Sequence, residues 1–526
     1  MNKRPTIMRR ILLSLIALAV YLVLLVLLVV SESSATDASI TTFFDAIWYS
    51  IITISTVGYG DLYPVTLLGK LIGVLFVILS VGALAFVVGA MVSLITGRLL
   101  PQLQMCRYRK RDWYVFSCVT DASLTLADSI HRQDPKAIFF FPVDQQAAVA
   151  HRPECMFYTD TMQAAFQKNP QRCRLFFMEP DTERNYRLAL EASHLGCPVY
   201  CQTDFAPAHC PHNLKLFDRY SCCAREYWNS YPLIPGKRTV LLLGNGRYAA
   251  QLLEQGLALN VFGQSYTTEY HIFGDWQHFL ANHSQLAQTL CLNGACQAQD
   301  RLIVHEEDWN RDPALLYGAD RIILCSDDAE ENLTALQHLR KYFPVSGSIH
   351  LRTSHAISGE NCFGTDAQIY TASMVLADGQ AYIARTMHQI YCNQNGDSNP
   401  PWEELGPFLQ QSNLAAADHL GVKIRMLLDD YTIVRITSRH CALAYARYCH
   451  SRAEQQENYR AIEHARWMRF HSLYNWQYAP QRDNDARRHP QMVPYEQLSD
   501  AEKAKDDYAW QLLMPMATAL ENNMEV

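Results

Sequence analysis

Hydrophobic positions along this chain change their spacing twice. From Ile11 to Val30 and again from Leu71 to Ile95 they are nearly continuous. A helix rises ~1.5 Å per residue, so ~20 residues reach across the ~30 Å hydrocarbon core of a bilayer. Both runs are therefore expected to cross a membrane. Thr42–Ile54 is apolar too but too short to span, which predicts a helix of half-membrane depth. Beyond Trp113, short apolar stretches alternate with amphipathic ones. That rhythm predicts a parallel α/β sheet, with strands at Tyr114–Val119, Ala137–Phe141, Arg174–Met178 and Pro198–Gln202. Helices are expected at Leu124–Arg132 and up to His194.

The rhythm then starts again, with strands at Arg238–Leu243, His271–Phe273, Arg321–Cys325 and Ser348–Arg352 and a helix at Ala381–Tyr391. Two segments that follow strands align: one runs from Glu179 to Asn185, the other from Ser326 to Asn332. This points to an internal duplication of a Rossmann-like unit. Asn393–Pro401 reads as a linker. After it come a helix from Ser412, an apolar stretch of open type at Tyr431–Ile436 and a charged helix at Ser499–Leu513. The expected fold is a helical membrane pore of two spans plus a pore helix (1–100), two α/β Rossmann-like domains (113–225 and 237–392) and a small, mainly helical region (402–526).

Composition narrows the class. Only 18% of the 526 residues are charged, against ~25% in soluble proteins, as expected if part of the chain lies in lipid. A net charge of −7 argues against nucleic acid as a partner. Lys3, Arg4, Arg9 and Arg10 precede the first run, Arg98, Arg107, Arg109, Lys110 and Arg111 follow the second, and 31–66 holds no Lys or Arg. By the positive-inside rule both termini face the cytoplasm of a cell, or inner, membrane and the intervening loop faces out. The first run is also longer than a signal-peptide core. Arg98–Arg111 can meet anionic headgroups. Cysteines on the cytoplasmic side are expected as reduced thiols. The spacing of Cys201, His209, Cys210, His212, Cys222 and Cys223 fits no zinc pattern, and these are read as structural.

Between the two runs lies Thr53-Ile54-Ser55-Thr56-Val57-Gly58-Tyr59-Gly60-Asp61. A dehydrated potassium ion needs a cage of oxygen dipoles in place of its water. Backbone carbonyls of Thr56, Val57, Gly58 and Tyr59 supply one if the chain is extended and the oxygens point to a common axis. Gly58 and Gly60 permit torsions that a Cβ penalises. Thr56 can add its hydroxyl, and Tyr59 can brace the strand from behind. Non-helical backbone at membrane depth is tolerated where it is buried or lines a wet cavity. Thr56-Val57-Gly58-Tyr59-Gly60 resembles the selectivity filter of potassium channels, a signature the physics of carbonyl-ring selectivity is built on. That resemblance implies potassium ions in the pore, a homotetramer in membrane lipid, and Trp48 and Tyr49 packed around the filter. It also implies a gating hinge in the second span. Gly82 is preferred over Gly89 and Ser80, the alternative being that these glycines only allow close helix packing.

The two Rossmann-like units resemble tandem regulator-of-potassium-conductance (RCK) domains, and they differ where a ligand would bind. Gly244-x-Gly246-x-x-Ala249 follows a strand and opens a helix, the context of a phosphate-cradling loop, with Asp275 and Asp327 at the ends of further strands. Asp275 comes 29 residues after Gly246, later than the ~20 of a dinucleotide fingerprint. A nucleotide or dinucleotide here and a vestigial loop both stay open. The first unit's loop, from Ser117 to Ser123, has no glycine and reads as structural. His388 reads as a packing residue.

Near the C-terminus, Glu463-His464-x-Arg466-Trp467 and Trp476 resemble the ryanodine-receptor repeat (RyR domain) over about 452–526. Glu463, His464, Arg466, Trp467 and Trp476 are candidates for a small-molecule pocket, with Trp467, Trp476 and Tyr478 as an aromatic wall and Arg466 facing a phosphate. The alternative is that the tryptophans are core and Glu463–Arg466 a surface pair. No acid–base constellation of an enzyme is visible. The expected function is a potassium channel gated by a cytoplasmic small molecule, a nucleotide by preference. A nucleotide-sensing effector acting through ion flux and an ungated leak channel are the alternatives.

Overall fold

The structure, a computed structural model, describes residues 19–94, 108, 110–149, 152, 154–158, 170–205, 210–263, 266–293, 300–376, 379–395 and 400–522. Of 79–87, 90, 93–94, 148, 379–380, 394–395 and 522 it describes the backbone alone. The start of the first apolar run, most of Arg98–Arg111 and His209 lie outside the described residues. The chain divides into two compact units, Met1–Arg109 and Lys110–Val526.

In the first unit, α1 covers 19–32, α2 Phe43–Ile54 and α3 Leu67–Leu94. Helix α2 starts where Thr42 and Asp45 form a capping box: Asp45 N–H donates to Thr42 Oγ1 (3.1 Å) and Thr42 N–H to Asp45 Oδ2 (2.8 Å). It ends after 12 residues, the half-length expected. Phe76 of α3 is buried, with the rings of Tyr21 and Tyr49 edge-on to it at 6.1 and 6.4 Å. At the end of α1, the buried Glu32 carboxylate accepts from Val65 N–H (2.9 Å), Thr66 N–H (3.0 Å) and the Thr66 hydroxyl (2.6 Å). One carboxylate thus closes the turn that leads into α3. Counted over the described residues alone, no helix is long and apolar enough to cross a membrane.

The second unit holds two parallel sheets. In the first, β1 (Trp113–Phe116), β2 (Ile138–Pro142), β3 (Cys155–Tyr158), β4 (Cys173–Phe177), β5 (Val199–Gln202) and β6 (Leu214–Phe217) lie in the order β3-β2-β1-β4-β5-β6. The second runs β13-β12-β11-β7-β8-β10-β9, with β7 at Lys237–Leu243, β8 at Thr267–Phe273, β9 at Cys291–Leu292, β10 at Arg301–His305, β11 at Arg321–Leu324, β12 at Ser348–Arg352 and β13 at Asn361–Phe363. Setting the edge strand β9 aside, both follow the dinucleotide-fold order, whose switch point lies beside the first strand. Aromatic rings stack across the first sheet: Phe116 on Phe141 (5.0 Å) and on Phe176 (4.8 Å), and Phe176 on Tyr200 (4.9 Å).

The aligned asparagines do the same work in both sheets. Asn185 accepts from Glu179 N–H (2.9 Å) and donates to the carbonyls of Glu179 (2.8 Å) and Gln202 (3.1 Å). Asn332 accepts from Ser326 N–H (2.8 Å) and donates to the carbonyls of Ser326 (2.9 Å) and Arg352 (3.1 Å). Each buried amide ties the end of one strand to the next.

Several elements differ from the sequence reading. Strand β8 starts at Thr267 rather than His271, since its polar first residues pair in the interior between β7 and β10. β3, β6, β9, β10 and β13 were not foreseen; they are short and in part polar. The helix expected from Ser412 spans Pro407–Leu428, with proline in its first turn where no N–H is needed. A helix at Ser438–Cys449 was likewise unforeseen.

The C-terminal helices Pro407–Leu428, Ser438–Cys449, Ala453–Leu473, Asp500–Gln511 and Leu513–Asn522 pack around Trp510, whose indole N–H donates to Tyr459 O (2.8 Å). They dock on the second sheet's layer through polar contacts. Arg469 reaches Thr289 O (2.8 Å) and Asp300 (3.1 Å), and Asn475 Nδ2 donates to Asn282 O (2.7 Å).

Candidate functional site

The pore loop begins where α2 runs out of partners. The Ile52 carbonyl accepts from both Val57 N–H (3.0 Å) and Gly58 N–H (3.2 Å), folding the chain back beneath the helix end. Positive φ follows at alternate positions: Thr56 (59°), Gly58 (55°) and Gly60 (74°). Glycine meets that demand freely at 58 and 60; Thr56 adopts it at a cost of roughly 1 kcal/mol or more. Trp48 holds the loop from the side. Its indole N–H donates to Asp61 Oδ2 (2.9 Å), and its ring stacks on Tyr59 at 6.4 Å with the planes 8° apart. Asp61 completes this brace and was not singled out in the sequence. Tyr49 packs elsewhere, on Phe76. Gly82 lies inside α3, with helix on both sides.

At the second sheet's switch point, β7 leads through Gly244-Asn245-Gly246 into α7 (Arg247–Leu259), counted after α4 (Asp121–Gln133), α5 (Thr182–Ser193) and α6 (Arg219–Ser230). Gly244 has φ +139°, and a Cβ on it would lie 2.5 Å from Ser326 N. A Cβ on Gly246 would lie 2.4–2.6 Å from the carboxylate atoms of Asp327. That carboxylate occupies the start of α7, taking Arg247 N–H on one oxygen and Tyr248 N–H on the other, both at 3.0 Å. The glycines therefore admit the chain after β11. Ala249 is buried in α7. Asp275 caps its own turn through Gln277 N–H (3.0 Å), while its neighbour Gly274 approaches Asn245. So Gly244, Gly246 and Asp327 come together, and Asp275 stands beside them.

Residues missed in the sequence complete this place. The guanidinium of Arg352 lies 4.3 Å from the centroid of the Tyr248 ring and donates to Asp327 O. Arg247 pairs with Asp204, at the end of β5 in the first sheet, and Asp204 also accepts from the Thr182 hydroxyl (2.9 Å). Burial opposes ionisation of Asp204, but Arg247 and Thr182 outweigh it and hold its carboxyl below the ordinary range. Arg352, 20 residues beyond Asn332, takes the place in the second sheet that Gln202, 17 residues beyond Asn185, takes in the first: each carbonyl accepts from the asparagine amide, which marks position but not role.

In the C-terminal module the candidate residues separate. Glu463 and Arg466 are buried rather than paired at the surface: Arg466 donates Nε (3.0 Å) and Nη2 (2.7 Å) to one oxygen of Glu463. Lys423 Nζ stands 2.6 Å from the other oxygen, off the angle of a hydrogen bond. Burial works against the Glu463 charge, and Arg466 and Lys423 more than offset it, so its carboxyl titrates far below the usual range. Burial and the nearby Lys423 push His419 down to about 3; its Nε2 carries the proton toward Val261 O (3.1 Å). His419 and Lys423 stand four apart in an otherwise apolar stretch, which was the available sign of a buried partner. His464 is held between Val493 O (2.8 Å) and Asp506 (3.4 Å). Trp467 and Trp476 gather around His471, at 3.9 and 5.3 Å, with Trp476 buried against Phe408 (5.1 Å). Tyr478 is exposed, so no single wall of three rings forms. His388 packs as expected, facing Pro400 O (2.9 Å). Among the described residues no group of three His, Cys, Asp or Glu side chains could hold a metal ion.

Residues 11–97 match the family described as ion channel. In this segment the chain is similar to ion channel domains. Residues 450–525 match the RyR domain. The ion channel domain is 42% identical over 53 residues to the voltage-gated potassium channel of Aeropyrum pernix, covering 10% of this chain and 18% of that one. It is 47% identical over 51 residues to potassium channel protein 1 of Methanocaldococcus jannaschii, covering 10% and 15%. The chain thus spans less than a fifth of either relative. Among solved structures, the GsuK channel bound to ADP aligns with 68% of this chain and 96% of its own at 14% identity, with a TM-score of 0.30.

Proposed function

We propose that this chain is a subunit of a potassium-selective channel, several copies (four, by the resemblance) surrounding one pore, and that its cytoplasmic part senses a small molecule. The observation that carries this is the backbone of Thr56–Gly60, whose φ angles are left-handed at 56, 58 and 60 within an ion channel domain. Such alternation turns successive carbonyls toward one side, where a ring of copies completes an ion's oxygen cage. Membrane insertion is supported by the two apolar runs of the sequence, Ile11–Val30 and Leu71–Ile95, each of which as a helix would rise ~30 Å or more. Apolar side chains such as Phe44, Ile51, Leu67 and Ile78 lie exposed on the unit, as suits lipid or neighbouring copies. A flux assay in liposomes tests the reading: potassium should leave and sodium should not, and Gly58→Ala should abolish the current. Equal sodium and potassium flux would sink it.

For the ligand, the second sheet's strand order and the glycine turn opening α7 support a nucleotide, bound across the switch point. Binding gates the pore only by its differential affinity for the open and closed arrangements. If the full chain in detergent shows no melting shift with ADP, NAD or ATP, the nucleotide is wrong while the channel stands.

A further inference from the structure

The start of α7 is already occupied by an anion, and the anion belongs to the protein. Asp327 offers one carboxylate oxygen to each of two successive amides, the grip a helix N-terminus gives a phosphate. The helix itself provides no cap of its own, because its N-cap is Gly246. Nor does Asp327 serve the helix that follows it: that is capped by Asp328, which accepts from Glu330 N–H (2.8 Å). Below the loop, Arg352 is 5% exposed and its Nε has no hydrogen-bond partner. This buried guanidinium, 4.3 Å from the Tyr248 ring centroid and with a donor to spare, has the chemistry that suits a phosphate oxygen.

We propose that Asp327 is a built-in competitor for a phosphoryl group at this place: a nucleotide's phosphate enters by displacing the carboxylate from Arg247 and Tyr248 and takes the free Nε of Arg352. This rests on the nucleotide reading above. Displacement moves residues 326–328, and Arg247, whose amide changes partner, is the residue whose side chain grips Asp204 of the first sheet. Occupancy of the crevice is thereby passed from one sheet to the other.

The test uses the full chain in detergent, titrated calorimetrically with ADP and, separately, inorganic pyrophosphate. Asp327→Asn keeps an acceptor but removes the competing charge and should bind both about tenfold more tightly than the wild type. Asp328→Asn, in the same loop but capping the other helix, should leave affinity unchanged, and Arg352→Gln should weaken it. Equal affinity of wild type and Asp327→Asn, or weaker binding by the variant, overturns the competitor role and leaves the nucleotide standing. Absence of binding by every form overturns both. Tightening with ADP but not with pyrophosphate would place the phosphate elsewhere and also overturns it.

Discussion

The two Rossmann-type sheets share strand order and the buried asparagine, yet they close the helix beside their first strand by opposite means. In the first, Thr120 caps α4 itself: its hydroxyl accepts from Ser123 N–H (3.2 Å), and Ser123 returns the bond to Thr120 N–H (2.9 Å). In the second, Gly246 has no side chain to offer, and the cap arrives from Asp327, 80 residues beyond Arg247. A local cap is always in place, since it forms with the turn that needs it. A remote cap depends on the tertiary fold and can be withdrawn. The first sheet is thereby committed to structure, and the second retains a place where one anion can replace another.

The comparison is most sharply tested where the sheets agree. Asn185→Ala and Asn332→Ala each remove three hydrogen bonds and leave buried backbone groups unpaired, so each should cost roughly 3–5 kcal/mol of local stability. Hydrogen exchange read by mass spectrometry at β4–β5 and β11–β12 would show it. A loss in only one sheet would break the equivalence.

Acid should separate the sheets nearly as strongly. Burial, with His305 adding to it, pushes His271 on β8 down to about 4, and burial with Arg321 pushes His350 on β12 down to about 3. The strands of the first sheet contain no histidine. A histidine with a depressed folded pKa contributes stability that is fully present above its unfolded value of ~6.5 and is lost as pH falls toward the folded value. The second sheet should lose on the order of 3 kcal/mol per histidine at most between pH ~6.5 and ~4. Its amides should open first as pH is lowered through that window; simultaneous opening of both sheets would contradict the assignment.

A smaller effect is expected from Gly246→Ser. Its Cβ would fall on the Asp327 carboxylate, while the new hydroxyl can cap α7 as Thr120 caps α4. Evicting Asp327 should cost about 1–2 kcal/mol, partly regained through the local cap, and should abolish the affinity gain of Asp327→Asn. The smallest change belongs to Thr120→Ala, about 1 kcal/mol at the start of α4, with no effect on nucleotide binding. Altered ADP affinity in that variant would place the ligand in the first sheet.

What the sequence determined by itself is whatever depends on local torsions and periodicity. Gly58 and Gly60 announce left-handed backbone, Thr42–Ile54 a helix too short to span, and the apolar strands a parallel sheet with Asn185 and Asn332 in matching places. β3, β6, β9 and β13 escaped because they are sheet edges of two to four residues, too short to leave a periodic signal. The tertiary structure alone decided what fills the space these elements enclose: Asp327 in the glycine turn, Lys423 beneath Glu463, Trp476 against Phe408. Each of those partners lies tens of residues away along the chain, and only the packing of strands and helices sets which one arrives, because a charge or ring in sequence carries no record of the surface it will meet.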